Sequence, residues 1–194
     1  PGNGASMCAL RAGSTIDTTM GNSALDGLPM GTRCGAIDPG VLLYLLDTEG
    51  YDAARLSDLL YKESGLKGLS GFSHDMRELE ASGDPRADEA IAYFCARVRR
   101  EAGALAASLG GLDAFVFTGG IGEHSARVRA AVLAELGGPG TASDDADALA
   151  QCEERGDRVN TALGSTVSAW VIATDEEATI ARHALRIARA CAPR

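Results

Sequence analysis

Residues 115–124, with the sequence Phe-Val-Phe-Thr-Gly-Gly-Ile-Gly-Glu-His, constrain the fold of this chain more than any other segment. The apolar run that begins at Ala114 is typical of a short buried strand, and three glycines follow it. Residues 125–136 then carry apolar side chains at helical spacing. A strand, a glycine-rich turn and a helix together can present bare backbone N–H groups and the positive end of the helix to an anionic or nucleotide ligand. A tight turn without a ligand gives the same pattern, so this segment alone leaves both interpretations open.

The composition narrows the class of protein and the kind of partner. The chain has 194 residues, of which 45% are hydrophobic, and its formal net charge is −9. These values predict one large domain, or one domain plus extensions, with a substantial core, and they argue against nucleic acid or an anionic membrane as the main partner. No segment is apolar enough to span a bilayer. Five scattered cysteines without metal-ligand spacing indicate reduced thiols and a cytoplasmic location.

Capping residues and hydrophobic periodicity predict alternating helices and short strands. A hairpin is expected over residues 6–18, and a strand and a helix are expected at 166–173 and 176–190. Four capping residues mark helix starts, and they are Asp38, Asp52, Ser73 and Asp84. The first of these helices is expected to carry residues 41–46 into the core, and the polar residues 137–164 are predicted as a surface excursion. This order of elements predicts a mixed α/β layer fold.

Five motifs in the chain resemble, in the same order, motifs of the acetate kinase family. They are Gly-Asn-Gly-Ala-Ser at 2–6 with Ser-Thr-Ile-Asp-Thr-Thr-Met-Gly at 14–21, Gly-Leu-Pro-Met-Gly-Thr-Arg at 27–33 with Ile-Asp-Pro at 37–39, Gly-Leu-Ser-Gly at 68–71 with Asp-Met-Arg at 75–77, Phe-Thr-Gly-Gly-Ile-Gly-Glu at 117–123, and Thr-Asp-Glu-Glu at 174–177 with Ile-Ala-Arg at 180–182. The resemblance extends over essentially the whole chain, and it is to the second half of such an enzyme only.

The resemblance implies an RNase H-like domain of the actin-like ATPase type, which also occurs in sugar kinases and Hsp70. Such a domain has a mixed sheet with flanking helices. Residues 1–194 would form the C-terminal nucleotide-binding domain of a two-domain enzyme. Because the sequence begins at Pro1 rather than at Met, we expect the first strand of this domain and the whole N-terminal domain to lie upstream. The isolated chain is therefore expected to be inactive.

The implied reaction is the reversible transfer of the γ-phosphoryl group of ATP to acetate, which gives ADP and acetyl phosphate. The implied cofactors are ATP or ADP and Mg²⁺. The implied partners are acetate or another short-chain carboxylate, and a second copy of the chain in a homodimer. Two alternatives remain open: a related kinase for propionate or butyrate, and a non-catalytic nucleotide-binding module.

The resemblance assigns catalytic roles to Arg33 and Asn3. A guanidinium group offers a planar fork of donors that can stabilise negative charge on a phosphoryl group in transfer. The amide side chain of Asn3 and the backbone at Gly4 would hold phosphate oxygens of the nucleotide. The structural alternatives are a surface Arg33 paired with Asp26 or Asp38, and an ordinary Asn-Gly turn.

The adenosine contacts implied by the resemblance come from two motifs. Asp75, Met76 and Arg77 would form one wall, because charged side chains can bind ribose hydroxyls and a thioether can pack on adenine. Gly120 and Ile121 would form the opposite wall. The alternative for the first wall is a solvated helix start.

One residue departs from the family pattern at the nucleotide site. The family commonly has Asn after Gly-Ile-Gly-Glu, whereas this chain has His124. An imidazole can also donate or accept a hydrogen bond, or stack on adenine, so His124 stays in the predicted site.

The resemblance also implies a carboxylate for Mg²⁺. Glu176 is the first candidate and would act through water, because Mg²⁺ retains much of its hydration shell. Glu177 and Asp17 are weaker candidates. Acidic residues are also frequent at helix starts for electrostatic reasons alone, so Glu176 and Glu177 have a structural alternative.

Overall fold

The structure, a computed structural model, describes residues 4–134, 157–158 and 167–190. The strands are β1 Cys8–Arg11, β2 Ser14–Thr18, β3 Ala114–Phe117, β4 Asp157–Arg158 and β5 Ser168–Val171. The helices are α1 Pro39–Asp47, α2 Ala53–Asp58, α3 Gly65–Ser70, α4 Met76–Ser82, α5 Pro85–Leu109, α6 Gly119–His124, α7 Ala126–Ala134 and α8 Glu176–Ala190, and a π-helical segment, Leu59–Glu63, follows α2. The predicted α/β class is confirmed, while the excursion predicted at 137–164 lies largely outside the described residues.

The strands of the described residues form two small sheets. β1 pairs antiparallel with β2 through a turn in which Ala12 and Gly13 both have positive φ, at 51° and 79°, the geometry that favours a tight hairpin. β5 lies between β3 and β4, parallel to β3 and antiparallel to β4, so this sheet is mixed as predicted. Because β3 and β5 are parallel, the segments that follow Phe117 and Val171 leave the sheet at the same edge.

Helix α5 contributes more residues to the hydrophobic core cluster than any other described element. Asp84 caps its start by accepting a hydrogen bond from the Arg86 N–H, Pro85 occupies the first turn, and Gly110 ends the helix with φ of 73°. One face of α5 packs against α3, α4 and α7, the helix also contacts β1 and β2, and residues of β3 and β5 belong to the same core cluster. The core residues on these elements include Ile91, Phe94, Val98, Leu66, Leu79, Phe117, Val132 and Val171.

The expectation that α1 enters the core is wrong. No residue of α1 is buried, although its sequence is almost entirely apolar. Leu43 is 61% exposed and Tyr44 is 54% exposed. An apolar composition indicates that a helix packs against another surface, but it does not indicate which surface. Within the described residues, no element covers α1.

None of the helices in the described ranges is long and apolar enough to cross a membrane.

Candidate functional site

Arg33 lies at the end of a buried loop, the strap, which we define as residues 26–33. Every residue from Gly27 to Gly31 is buried. Backbone hydrogen bonds tie the strap to the chain around α3. The N–H of Leu66 donates to the Met30 carbonyl at 2.9 Å, and the N–H of Ser64 donates to the Thr32 carbonyl at 3.0 Å. These hydrogen bonds hold the strap against the chain around α3.

Gly65 allows the strap to lie this close to α3, and sequence reasoning assigned it no role beyond ending a helix. Its φ of 62° is in the left-handed region, and a Cβ there would collide with the Met30 carbonyl oxygen. The same Cβ would lie 2.7 Å from the carbonyl oxygen of Arg33. The feature of the sequence that points to this contact is the Ser-Gly dipeptide at 64–65, because this pair is common in turns.

The guanidinium of Arg33 is held by backbone. Its Nη1 donates to the Ala24 carbonyl at 2.7 Å. The structural alternative, an ion pair with Asp26 or Asp38, is not what the structure shows. Asp26 accepts from the N–H of Gly27, Asp38 accepts from the N–H of Gly40, and Arg33 forms no ion pair within the described part of the chain.

Gly4 faces Arg33, although the two residues are far apart in sequence. A Cβ added to Gly4 would lie 3.0 Å from Nη2 of Arg33. Gly4 is exposed and Arg33 is half-buried, so a cation lies beside an accessible glycine backbone. This arrangement suits an anionic oxygen group. Asn3, the other residue predicted at this turn, lies outside the described residues.

Asp75 and Arg77 are paired with each other at the start of α4. Asp75 Oδ1 accepts a hydrogen bond from the Arg77 N–H at 2.9 Å, which caps the helix, and Asp75 Oδ2 lies 2.6 Å from Arg77 Nη2. These hydrogen bonds, first that from the Arg77 side chain, lower the pKa of Asp75 to about 2. The pair is exposed and rigid enough to offer both charges to a ligand.

Met76 is placed differently from the prediction. Its side chain is only 5% exposed and belongs to the core cluster with Leu79. The physical reason is helical periodicity: Met76 and Leu79 lie three residues apart on the face of α4 that packs inward. The thioether therefore anchors the helix start and does not form a surface on which adenine could pack.

The glycine-rich turn after β3 forms the short helix α6, and not a loop. Gly119 adopts φ of 70°, and Gly122 lies so close to β3 that a Cβ there would be 3.3 Å from the backbone carbon of Phe117. Gly120 faces open space, because a Cβ there would meet nothing within 4 Å. Ile121 packs partly against the core, and His124 is exposed at the helix end.

The side chain of Glu123 accepts a hydrogen bond from the first amide of this turn. The sequence motifs assigned no role to this residue. Its Oε1 accepts hydrogen bonds from the N–H of Gly119 at 2.7 Å, the N–H of Thr174 at 3.0 Å and the hydroxyl of Thr174 at 3.2 Å. Partial burial acts to raise the pKa of Glu123, but the hydrogen bonds from Thr174 and Gly119 outweigh it and the pKa is lowered. The first amide of the turn is thus occupied, contrary to the expectation of bare N–H groups.

A separate polar contact joins α4 to the residue that follows α6. Ser125 is buried and its hydroxyl donates to Oε1 of Glu80 at 2.5 Å. Glu80 belongs to α4, whose first turn carries Asp75 and Arg77, and Ser125 directly follows α6. The contact therefore fixes α4 relative to the segment that contains Gly120.

The candidate magnesium carboxylates lie on two separate elements. Glu176 begins α8 after β5, at the sheet edge where the turn after β3 also emerges. Asp17 instead accepts hydrogen bonds from Ser108 and from the Thr18 N–H, which lower its pKa and tie the hairpin to the end of α5. No group of three or more metal-ligating side chains occurs in the residues that the structure describes. Magnesium bound mainly through water needs no such group, so one carboxylate is enough for the predicted role.

Comparison with known proteins defines the class. A family model described as the acetokinase family matches residues 1–182. The chain is 54% identical over 186 residues to the acetate kinase of Methylocella silvestris and 44% identical over 195 residues to a propionate kinase of Citrobacter rodentium. These alignments cover 96% and 99% of this chain but only 45% and 47% of the relatives.

A solved structure gives the same result for the fold. The crystal structure of the Porphyromonas gingivalis acetate kinase superposes with a TM-score of 0.86 and 38% identity, over 95% of this chain and 47% of that one. The fold is thus the RNase H-like, actin-like ATPase type that the resemblance implied. The chain belongs to the acetokinase family, and it spans about half the length of the relatives that it matches.

Proposed function

We propose that this chain is the C-terminal, nucleotide-binding half of a kinase that transfers the γ-phosphoryl group of ATP to acetate. The observation that carries the proposal is the Arg33 guanidinium, fixed by the Ala24 carbonyl on one side and directed to the glycine turn at Gly4 on the other. Family membership supplies the reaction class to which such a cation belongs.

Arg33 is proposed to stabilise the charge that spreads over the phosphoryl oxygens during transfer, because phosphoryl transfer depends mainly on positioning and electrostatic stabilisation. Asn3 and Gly4 are proposed to bind phosphate oxygens of the nucleotide. Bound Mg²⁺ would neutralise phosphate charge, and Glu176 would hold it through water.

The adenosine is proposed to lie between the start of α4 and α6. Asp75 and Arg77 would contact the ribose hydroxyls, and Met76 would hold both of them in place from the core. Gly120 and Ile121 would line the other side of the base, where the surface at Gly120 is open. His124, exposed at the end of α6, would contact the edge of the base.

The exposed helix α1 supports a homodimer. Leu43 and Tyr44 present apolar surface of the kind that marks a protein interface. Light scattering of the complete enzyme measures the subunit number, and a monomeric enzyme would contradict the dimer.

A cytoplasmic location fits the described cysteines Cys8, Cys34 and Cys95, which are all free thiols.

The test is Arg33→Ala in the complete enzyme. We expect kcat to fall by about 10³-fold, the scale of a charge-stabilising Arg in phosphoryl transfer. Arg100→Ala is the matched control, since Arg100 is an exposed arginine on α5. Acetyl phosphate is trapped with hydroxylamine and counted. A loss of only a few-fold at Arg33 would remove it from this role.

The related propionate kinases make the identity of the acid a second question. The relative of Citrobacter rodentium carries that name at 44% identity. Comparing kcat/KM for acetate, propionate and butyrate in the complete enzyme distinguishes these kinases. Nucleotide binding without turnover on any of the three acids would favour the non-catalytic alternative.

A further inference from the structure

We propose that Glu123 is a positioning residue of the nucleotide site. Its carboxylate joins the glycine-rich turn at the start of α6 to the loop after β5, and it excludes phosphate from that turn. Its Oε1 accepts hydrogen bonds from Gly119 and from both the N–H and the hydroxyl of Thr174. One oxygen atom therefore joins two segments that are 51 or more residues apart in sequence. This inference rests on the proposed nucleotide function.

The position of the carboxylate decides which part of a nucleotide the turn can accept. The amide of Gly119 is among the first N–H groups of α6, which have no partner within the helix. A phosphate would normally compete for such an amide. Here the Glu123 carboxylate already occupies it, and a phosphate would meet a like charge. The turn is left to the uncharged part of the nucleotide, whose phosphates are directed towards Gly4 and Arg33.

The far end of α6 is fixed as well. The guanidinium of Arg129, which is only 2% exposed, donates to the carbonyl oxygens of Gly122 and Glu123 at 2.9 and 2.7 Å. Helix α6 is thus held by a carboxylate at its start and a guanidinium at its end. With the far end fixed, the hydrogen bonds of Glu123 join the first turn to Thr174.

The experiment compares Glu123→Ala and Glu123→Gln in the complete protein, with Glu89→Ala as the control because Glu89 is an exposed glutamate on α5. ADP affinity is measured by calorimetry. We expect the Ala variant to raise the Kd about tenfold, the scale of one charged hydrogen bond. The Gln variant should retain most of the affinity, since its amide oxygen can still accept both N–H groups. Glu89→Ala should leave the Kd unchanged.

Two further readouts separate positioning from general stability. Amide hydrogen exchange at Gly119 and Thr174 should be slow in the wild-type protein, faster in Glu123→Ala and close to wild type in Glu123→Gln. In turnover, Glu123→Ala should raise the KM for ATP and leave the KM for acetate unchanged. A loss of thermal stability alone would not produce these selective changes in the amide exchange rates or in the KM for ATP.

The outcomes distinguish the inference from the proposed function. If the wild-type protein does not bind ADP, the proposed function fails and takes this inference with it. If the wild type binds ADP and Glu123→Ala binds it equally well, only the inference fails. Should Glu123→Ala not fold, rapid exchange of the Gly119 and Thr174 amides in the wild type would still overturn the inference, and slow exchange would support it.

Discussion

Arg33 is positioned by main-chain groups, and this has consequences for the residues around it. The Ala24 carbonyl binds one guanidinium nitrogen, while Gly65 admits the strap against α3. A guanidinium paired to a carboxylate would lose part of its charge effect, whereas one held by a carbonyl keeps its full charge for a ligand. Substitutions in the support of the strap should therefore affect catalysis without touching the ligand.

Gly65→Ala tests this support. Gly83→Ala is the matched control, because Gly83 has φ of 65° against 62° at Gly65 but faces open space. Both substitutions strain a left-handed backbone, at a cost of about 1 kcal/mol. Only Gly65→Ala also pushes on the Met30 and Arg33 carbonyls. We expect both variants to lose some stability and only Gly65→Ala to lose kcat, by tenfold or more. Equal kcat values in steady-state assays would contradict this role.

Asp75 should give a pH-dependent contribution to stability. Its pKa is about 2 in the folded protein against about 3.9 in an unfolded chain. A lowered folded-state pKa means that the contribution is complete above pH 4 and is lost as the pH falls towards 2. Asp75→Ala should therefore lower the Tm by a constant amount from pH 7 to 5 and by less below pH 4. A Tm difference that does not change with pH would exclude the effect.

At the scale of elements, helix α6 carries the base side of the proposed site. Gly120 lies on its exposed surface, with open space where a side chain would point. The open space is the room that a flat ring needs, so a branched side chain there should occupy it. The helix itself should tolerate the change, since a Cβ at Gly120 would meet no described atom within 4 Å beyond the neighbouring backbone of its own helix.

Gly120→Val is expected to weaken ADP binding by tenfold or more while the protein stays folded. Gly103→Val is the control, because Gly103 also faces open space on a helix. Both affinities are measured by calorimetry, with circular dichroism to verify folding. If Gly120→Val and Gly103→Val bind ADP as tightly as the wild type, the nucleotide lies elsewhere.

The sequence predicted the elements better than it predicted their contacts. Strand β3 and its glycine turn were recognisable because period and glycine content are local signals. The occupied amide of Gly119 was not, because its acceptor Glu123 is held by Thr174, a contact between segments that are distant in sequence. The same limit applies to α1: its apolar composition was visible, but its exposure depends on neighbours. The motif singled out Arg33 as a candidate, whereas the close contact at Gly65 depends on packing, which the sequence does not show.

At the scale of the whole molecule, the chain accounts for about half of the relatives that it matches. Among the described residues β1 pairs only with β2, and β3 pairs only with β5, so each has an unpaired edge. Unpaired edges recruit further chain segments. On the proposed division of the enzyme into two halves, the acyl site and a strand that covers these edges would come from outside residues 1–194.

The chain alone is therefore expected to make no acetyl phosphate at a useful rate. It should also aggregate more readily on heating than a version extended by roughly ten upstream residues, because unpaired strand edges recruit other chains. Hydroxylamine trapping and thermal melts of both proteins check the two parts. Robust turnover by the chain alone would contradict the division into two halves.

The parallel pairing of β3 with β5 also has a consequence for the order of events during synthesis. Phe117 leaves the ribosome about fifty residues before its neighbour Val171. At 5 to 20 residues per second, β3 waits for about 3 to 10 s without this partner. The glycine turn and Thr174 can meet only after that delay. The part of the proposed nucleotide surface that this turn forms is therefore completed only after β5 has been made, and until then β3 lacks the strand with which it pairs.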